Sequence, residues 1–131
     1  MEKKYFTLEE ANELLPLLEV ELVTLQQIQK NFQFKIKKLK ELKANPNQQL
    51  TEKDRIFTLE SELEFLQMEA QLHLRNIESK GAQLKGIDLG LLDFPAILNG
   101  EEVLLCWKQG ESKITHYHSE HEGFAGRRPI N

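Results

Sequence analysis

Apolar residues recur at alternating spacings of three and four from the start of the chain: Leu8, Ala11, Leu15, Leu18, Leu22, Leu25, then Phe32, Ile36 and Leu39. That is a heptad seam, broken once at the polar Gln29, and it predicts a helix over residues 7–43. Thr7-Leu8-Glu9-Glu10 reads as a capping box: the Thr7 hydroxyl accepts from the Glu10 amide while the Glu10 carboxylate reaches back. At 1.5 Å per residue the helix spans roughly 55 Å. Pro16 lies inside it, removes the bond to the Asn12 carbonyl and predicts a bend in the first turns.

The polar stretch Ala44 to Gln49, with Pro46 and Asn47, predicts a loop. Thr51, with Asp54 three residues on, then caps a second helix over 51–80. Its seam is Ile56, Leu59, Leu63, Leu66, Ala70, His73 and Ile77, and Gly81 is its left-handed cap. So short a loop makes the helices antiparallel neighbours. Counting out from Asn47 sets Leu39 against Ile56, Phe32 against Leu63 and Leu18 against Ile77. Lys30–Lys43 then lies beside Glu60, Glu62 and Glu64, so pairing within the hairpin accounts for the lysine cluster. His73 falls on the seam beside Leu22 as a histidine of the core or its edge. Phe57, Phe65, Met68 and Leu72 form a second apolar stripe, joined by Leu14, Leu17 and Phe34. A hairpin alone cannot bury two stripes, which predicts a homodimer through the helices.

Beyond residue 80 the helical period stops and every glycine of the chain appears. Asn99-Gly100 is a turn signal between apolar runs. Glu101–Trp107 reads as a strand, Lys108–Glu111 as a turn, Lys113–His118 as the return strand, and Leu91–Phe94 as a third strand ended by Pro95. The expected architecture is α+β: a helical hairpin of coiled-coil character, a small antiparallel meander over 84–118 packed on the first turns of helix one, and an irregular tail over 119–131, all in one domain. Strand alternation puts Val103, Leu105 and Trp107 on one face, and Leu104 and Cys106 on the other.

The 17 basic and 21 acidic side chains leave a net charge of −4, which argues against nucleic acid as a partner. One cysteine and no secretory leader point to the cytoplasm, and no run is long and apolar enough for a membrane span. His116, His118 and His121, with Glu120 and Glu122, have ligand types and spacing suited to one divalent ion such as zinc or iron. The plainer reading is a solvated strand end with no cofactor. Neither paired Cys-x-x-Cys units nor HExxH is present. Cys106, mid-strand, reads as a small core residue.

The phrases FTLEEANELLP at the start and LDFP, LLCWKQGE and GFAGRRPI towards the end resemble a family of small bacterial proteins known as a domain of unknown function. The resemblance covers nearly the whole chain, strongly at both ends and by helical character in the middle. It carries no activity to transfer. It implies a bacterial source and a set of matching positions, among them Asp93, Cys106, Trp107, Glu111, His118, Phe124, Arg127 and Arg128. Tyr117-His118 matches its aromatic-His step, whereas His116 and His121 lie outside its pattern. Asp93, Trp107, Glu111, His118, Arg127 and Arg128 are therefore candidate ligand-binding residues: the arginines to grip a small carboxylate or phosphate, His118 as acid or base oriented by Asp93 or Glu111. The competing reading has Asp93 pair with an arginine and pin the tail. No motif has the specificity of a phosphate loop or nucleophile elbow. The expected function is a non-catalytic scaffold or protein-interaction module. The alternative is a small ligand- or metal-binding protein or enzyme with its site in the C-terminal block.

Overall fold

The computed structural model describes residues 3–45 and 49–130. Helix α1 runs Leu8–Lys43 and α2 Leu50–Ser79, followed by strands β1 (Gln83–Gly86), β2 (Leu91–Leu98), β3 (Glu101–Lys108), β4 (His116–His118), a 3-10 turn at Phe124–Gly126 and β5 (Arg128–Pro129). The strands form one antiparallel meander in the order β1-β2-β3-β4-β5.

The capping box at α1 is complete: Thr7 Oγ1 accepts from Glu10 N at 3.1 Å, and Glu10 Oε1 accepts from Thr7 N at 2.9 Å. Pro16 sits inside α1, which is one continuous element through it. The expected start of the second helix is corrected: Gln49, not Thr51, is the N-cap, and it makes no side-chain cap bond. Gly81 takes the left-handed conformation (φ 96°), which terminates α2 as expected. Pro46 and Asn47 of the expected loop lie outside the described residues.

The helices form an antiparallel hairpin in which the basic stretch of α1 meets glutamates of α2. Lys35 pairs with Glu62, Lys43 with Glu60 at 3.5 Å, and His73 Nδ1 with Glu21 at 2.5 Å. Ala11, Leu15, Leu18, Leu22, Leu25 and Ile28 are the buried residues of α1. Ile28 thus takes the inward place that the polar Gln29 breaks in the seam. Among the described residues no helix is long and apolar enough to cross a membrane.

Cross-strand partners share a face, so register decides what the sheet presents on each side. Leu92 opposes Trp107, Phe94 opposes Leu105 and Ala96 opposes Val103. This face packs on Ala11, Leu15, Leu18, Leu22, Leu25 and Ile77 to make the core. The sheet is fastened to α1 by polar bonds as well: Ile114 N donates to Asn12 Oδ1 at 2.8 Å, and Gln26 Nε2 to the Ile87 carbonyl at 2.9 Å.

Three expectations for the strands are corrected. First, β2 does not stop at Pro95 but continues to Leu98. The Pro95 carbonyl accepts from Phe6 N at 2.7 Å. In an extended strand the N and O of one residue point to the same side, so the donor missing at Pro95 faces the N-terminal segment and costs no bond to β3. Second, the return strand is short, His116–His118, because Ile114 N turns away to Asn12. Third, the tail is not wholly irregular: Arg128 and Pro129 pair with Tyr117 and His116 as a fifth strand.

Candidate functional site

The outer face of the sheet carries the chemistry. Asp93 on β2 opposes Cys106 on β3, and His118 on β4 opposes Leu104, so all three side chains rise from the same face of neighbouring strands. The His118 ring crosses over β3, and its Nε2 lies 3.0 Å from Asp93 Oδ2. Cys106 is small enough to leave room beneath it. The other ring nitrogen, Nδ1, is 2.8 Å from the Ser119 carbonyl. A carbonyl only accepts, so Nδ1 carries a proton and Nε2 is left to face Asp93. Asp93 and His118 are 3 % and 4 % exposed, the buried polar side chains among the described residues.

Burial pushes the Asp93 carboxyl up from its ordinary value, against the opposing pull of His118. Burial likewise raises the Cys106 thiol, although the Arg127 guanidinium, 4.0 Å from Sγ, works the other way.

These groups form the floor of a cavity of about 250 Å³. Its walls include Leu91, Leu104 and Phe124, and Lys85, Glu120 and Glu122 stand around it. Glu120 is held by Lys3 at 2.5 Å and Glu122 by Arg128 at 2.8 Å.

The other candidate residues are placed differently. Trp107 lies on the inner face, buried in the core, and its Nε1 donates to the Glu111 carbonyl at 2.9 Å. Glu111 is a clasp: its carboxylate accepts from Lys108 N at 2.8 Å and pairs with Arg127 at 3.0 Å. Arg127 also stacks on Phe124, with 4.3 Å from its guanidinium carbon to the ring centroid. Arg128 lies over Tyr117 at 5.3 Å. The tail is therefore pinned by arginines, but Glu111 and Glu122 are the anchors, while Asp93 is engaged by His118. His116 bonds Thr115 Oγ1 at 2.8 Å, and His121 is exposed.

Among the described residues, the three metal-ligating side chains whose donor atoms lie within 4.8 Å of one another are Asp93, Cys106 and His118. The sequence pattern alone pointed to His116, His118 and His121, which the structure does not gather. Cys106 was missed as a site residue, although a signal for it existed. The two-residue Asn99-Gly100 turn makes paired positions sum to 199, which sets Asp93 opposite Cys106.

No curated protein and no solved structure matches the chain. One family model does, over residues 4–130, which span both helices, the sheet and the cavity floor. The chain accordingly belongs to the family described as uncharacterized conserved protein DUF2203.

Proposed function

We propose that this is a small-ligand-binding protein of the bacterial cytosol, with its site in the β-block cavity. The observation that carries this reading is the buried Asp93–His118 pair on the cavity floor. Desolvating such a pair is costly, and apolar side chains of similar volume often fold as well or better. A polar pair retained beneath an open cavity with apolar and aromatic walls has the form of a recognition site.

The cavity volume, about 250 Å³, lies just below the range usual for drug-sized ligands, which restricts the occupant to a small molecule of roughly amino-acid size. Asp93 and His118 suit a group that donates hydrogen bonds or carries positive charge. Arg127 and Arg128 are already engaged by Glu111 and Glu122, so a small anion is the less favoured ligand.

The test is a melting-temperature screen against short alkyl amines, amino acids, phosphate and acetate, run on the native protein and on Gly123→Trp. Gly123 borders the cavity, and a Cβ there would meet nothing within 4 Å, so a bulky side chain is tolerated at the rim, where the indole is introduced to obstruct entry. A rise with an amine or amino acid in the native protein, absent in Gly123→Trp, is the expected result. No rise with any compound, or equal rises in both proteins, contradicts the reading.

The scaffold reading has its own observation. Phe57, Phe65, Met68 and Leu72 share one face of α2 and are each more than half exposed, whereas Leu63, Leu66 and Ile77 turn inward. A second copy presenting the same stripe about a twofold axis would cover it, giving a coiled-coil-like four-helix dimer. Light scattering near twice 15.3 kDa, reduced to 15.3 kDa by Phe65→Lys, supports the dimer, and 15.3 kDa for the native chain at micromolar concentration rules it out.

A further inference from the structure

Three donor types converge on the cavity floor: a carboxylate oxygen, a thiol sulfur and an imidazole nitrogen. We infer that Asp93 Oδ2, Cys106 Sγ and His118 Nε2 form a binding site for one zinc-type divalent transition-metal ion, with its fourth coordination position open to the cavity. The inference rests on the reading of that cavity as the ligand site and names the ion that occupies its floor.

Geometry carries the argument first. Tetrahedral zinc, with bonds near 2.0–2.3 Å, needs neighbouring N, O and S ligand atoms roughly 3.4–3.6 Å apart. Here Nε2 and Oδ2 are 3.0 Å apart, and all three donor atoms lie within 4.8 Å of one another. Nε2 and Oδ2 must open by a few tenths of an ångström and Cys106 Sγ must close by at most about 1.3 Å, shifts that side-chain rotation supplies. Each donor stands on a separate strand of one sheet, with Asp93 paired to Cys106 and His118 to Leu104, so the set is held by backbone rather than by a loop. The bond between His118 Nδ1 and the Ser119 carbonyl matches the outer-shell arrangement of metal-binding histidines, which fixes the tautomer and leaves Nε2 as ligand.

The donor set indicates which ion. A thiolate with an imidazole selects borderline metals such as zinc, iron and cobalt over magnesium and calcium, which favour oxygen alone. Charge balances too: as ligands, a carboxylate, a thiolate and a neutral imidazole together carry −2, which one divalent cation neutralises. Three protein ligands and an open face are the pattern of zinc sites that bind a water or substrate, as opposed to closed structural sites. The bordering Phe124 ring then covers one side of whatever takes the fourth position.

The test starts from protein stripped with a chelator and dialysed. Zinc is added in a calorimeter, and cobalt(II) is followed by absorption. The expected results are one ion per chain and a thiolate-to-cobalt charge-transfer band. Cys106→Ser abolishes that band, and Cys106→Ser, Asp93→Asn and His118→Gln each weaken zinc by at least roughly tenfold, given that even outer-shell changes cost that much. Circular dichroism on each variant confirms that the fold is intact. His116→Gln and His121→Gln bind as the native protein does. The inference is overturned by no saturable zinc or cobalt binding, by binding that survives in folded Cys106→Ser with its band unchanged, or by loss in His116→Gln or His121→Gln. If zinc fails while an amine or amino acid still raises the melting temperature in a Gly123-dependent way, this inference falls and the ligand-site reading stands. If neither binds, both fall.

Discussion

Among the described residues two histidine–carboxylate pairs are found, one in each region of the molecule, and they differ in nearly everything but composition. On the hairpin, His73 meets Glu21 at 2.5 Å with side chains 23 % and 20 % exposed, and Asn76 donates to the same carboxylate at 3.1 Å. In the β block, His118 meets Asp93 at 3.0 Å with both side chains at or below 5 % exposure. The hairpin pair joins two helices at a partly solvated edge, alongside Lys35–Glu62 and Lys43–Glu60. Pairs of that kind contribute little, because water already serves both charges. The sheet pair is out of water, spans three strands and opens on a cavity. Burial, more than residue type, separates a pair that staples the fold from one that can act on a ligand.

That comparison can be broken by mutation. The largest effect belongs to the core beneath the sheet: Trp107→Ala is expected to lose about 3–5 kcal/mol in urea unfolding, since Trp107 is fully buried among Leu22, Leu25 and their neighbours. His118→Ala comes next, at about 3 kcal/mol, because it strands the Asp93 carboxyl in a desolvated place. His73→Ala is expected to cost under about 1 kcal/mol. Equal losses for the two histidines would erase the distinction between the regions.

Smaller effects sharpen it. Thr7→Ala removes a capping bond and is expected to cost about 1 kcal/mol, whereas Gln49→Ala, where no side-chain cap bond exists, is expected to change little. The same box makes a pH prediction. The Thr7 backbone N–H, and then its side chain, hold the Glu10 carboxyl below its ordinary value of 4.5. A carboxylate with a lowered folded value stabilises the fold above its unfolded value and loses that contribution as pH falls through the folded one. Glu10→Gln should therefore flatten part of the stability loss on acidification below about pH 4.5, with little change at neutral pH. A full acid limb in the variant would show that the carboxylate is not engaged.

The hairpin was the more legible region. Its heptad spacing, Thr7 box and Gly81 stop are local signals, and the Lys–Glu pairing followed from counting out from the loop. The start of α2 is hard to read because Thr51 offers a capping side chain two residues after the true N-cap, and Gln49 caps with backbone alone. In the β block, alternation assigned the faces of Val103 to Trp107 correctly. What it could not supply was which distant strand lies beside which. The Asp93–His118 bond joins residues 25 apart and depends on the order β2-β3-β4. Asp93 and the arginines are linked in sequence only as charged members of the family-like positions, whereas Glu111 lies beside Arg127 only after the β3–β4 connection folds back. Pro95 signals a strand end locally, because the N-terminal segment that receives its outer edge is remote in sequence.

The central claim is that His118 is locked inside the sheet, with Nδ1 bound to the Ser119 carbonyl and Nε2 facing Asp93. Nitrogen-15 NMR of the four imidazole rings tests it directly. The account expects one ring, removed from the spectrum by His118→Gln, to carry a proton on Nδ1 that exchanges slowly with solvent, while His73, His116 and His121 exchange fast. A His118 ring with Nδ1 unprotonated, or exchanging as fast as the other three, would contradict it.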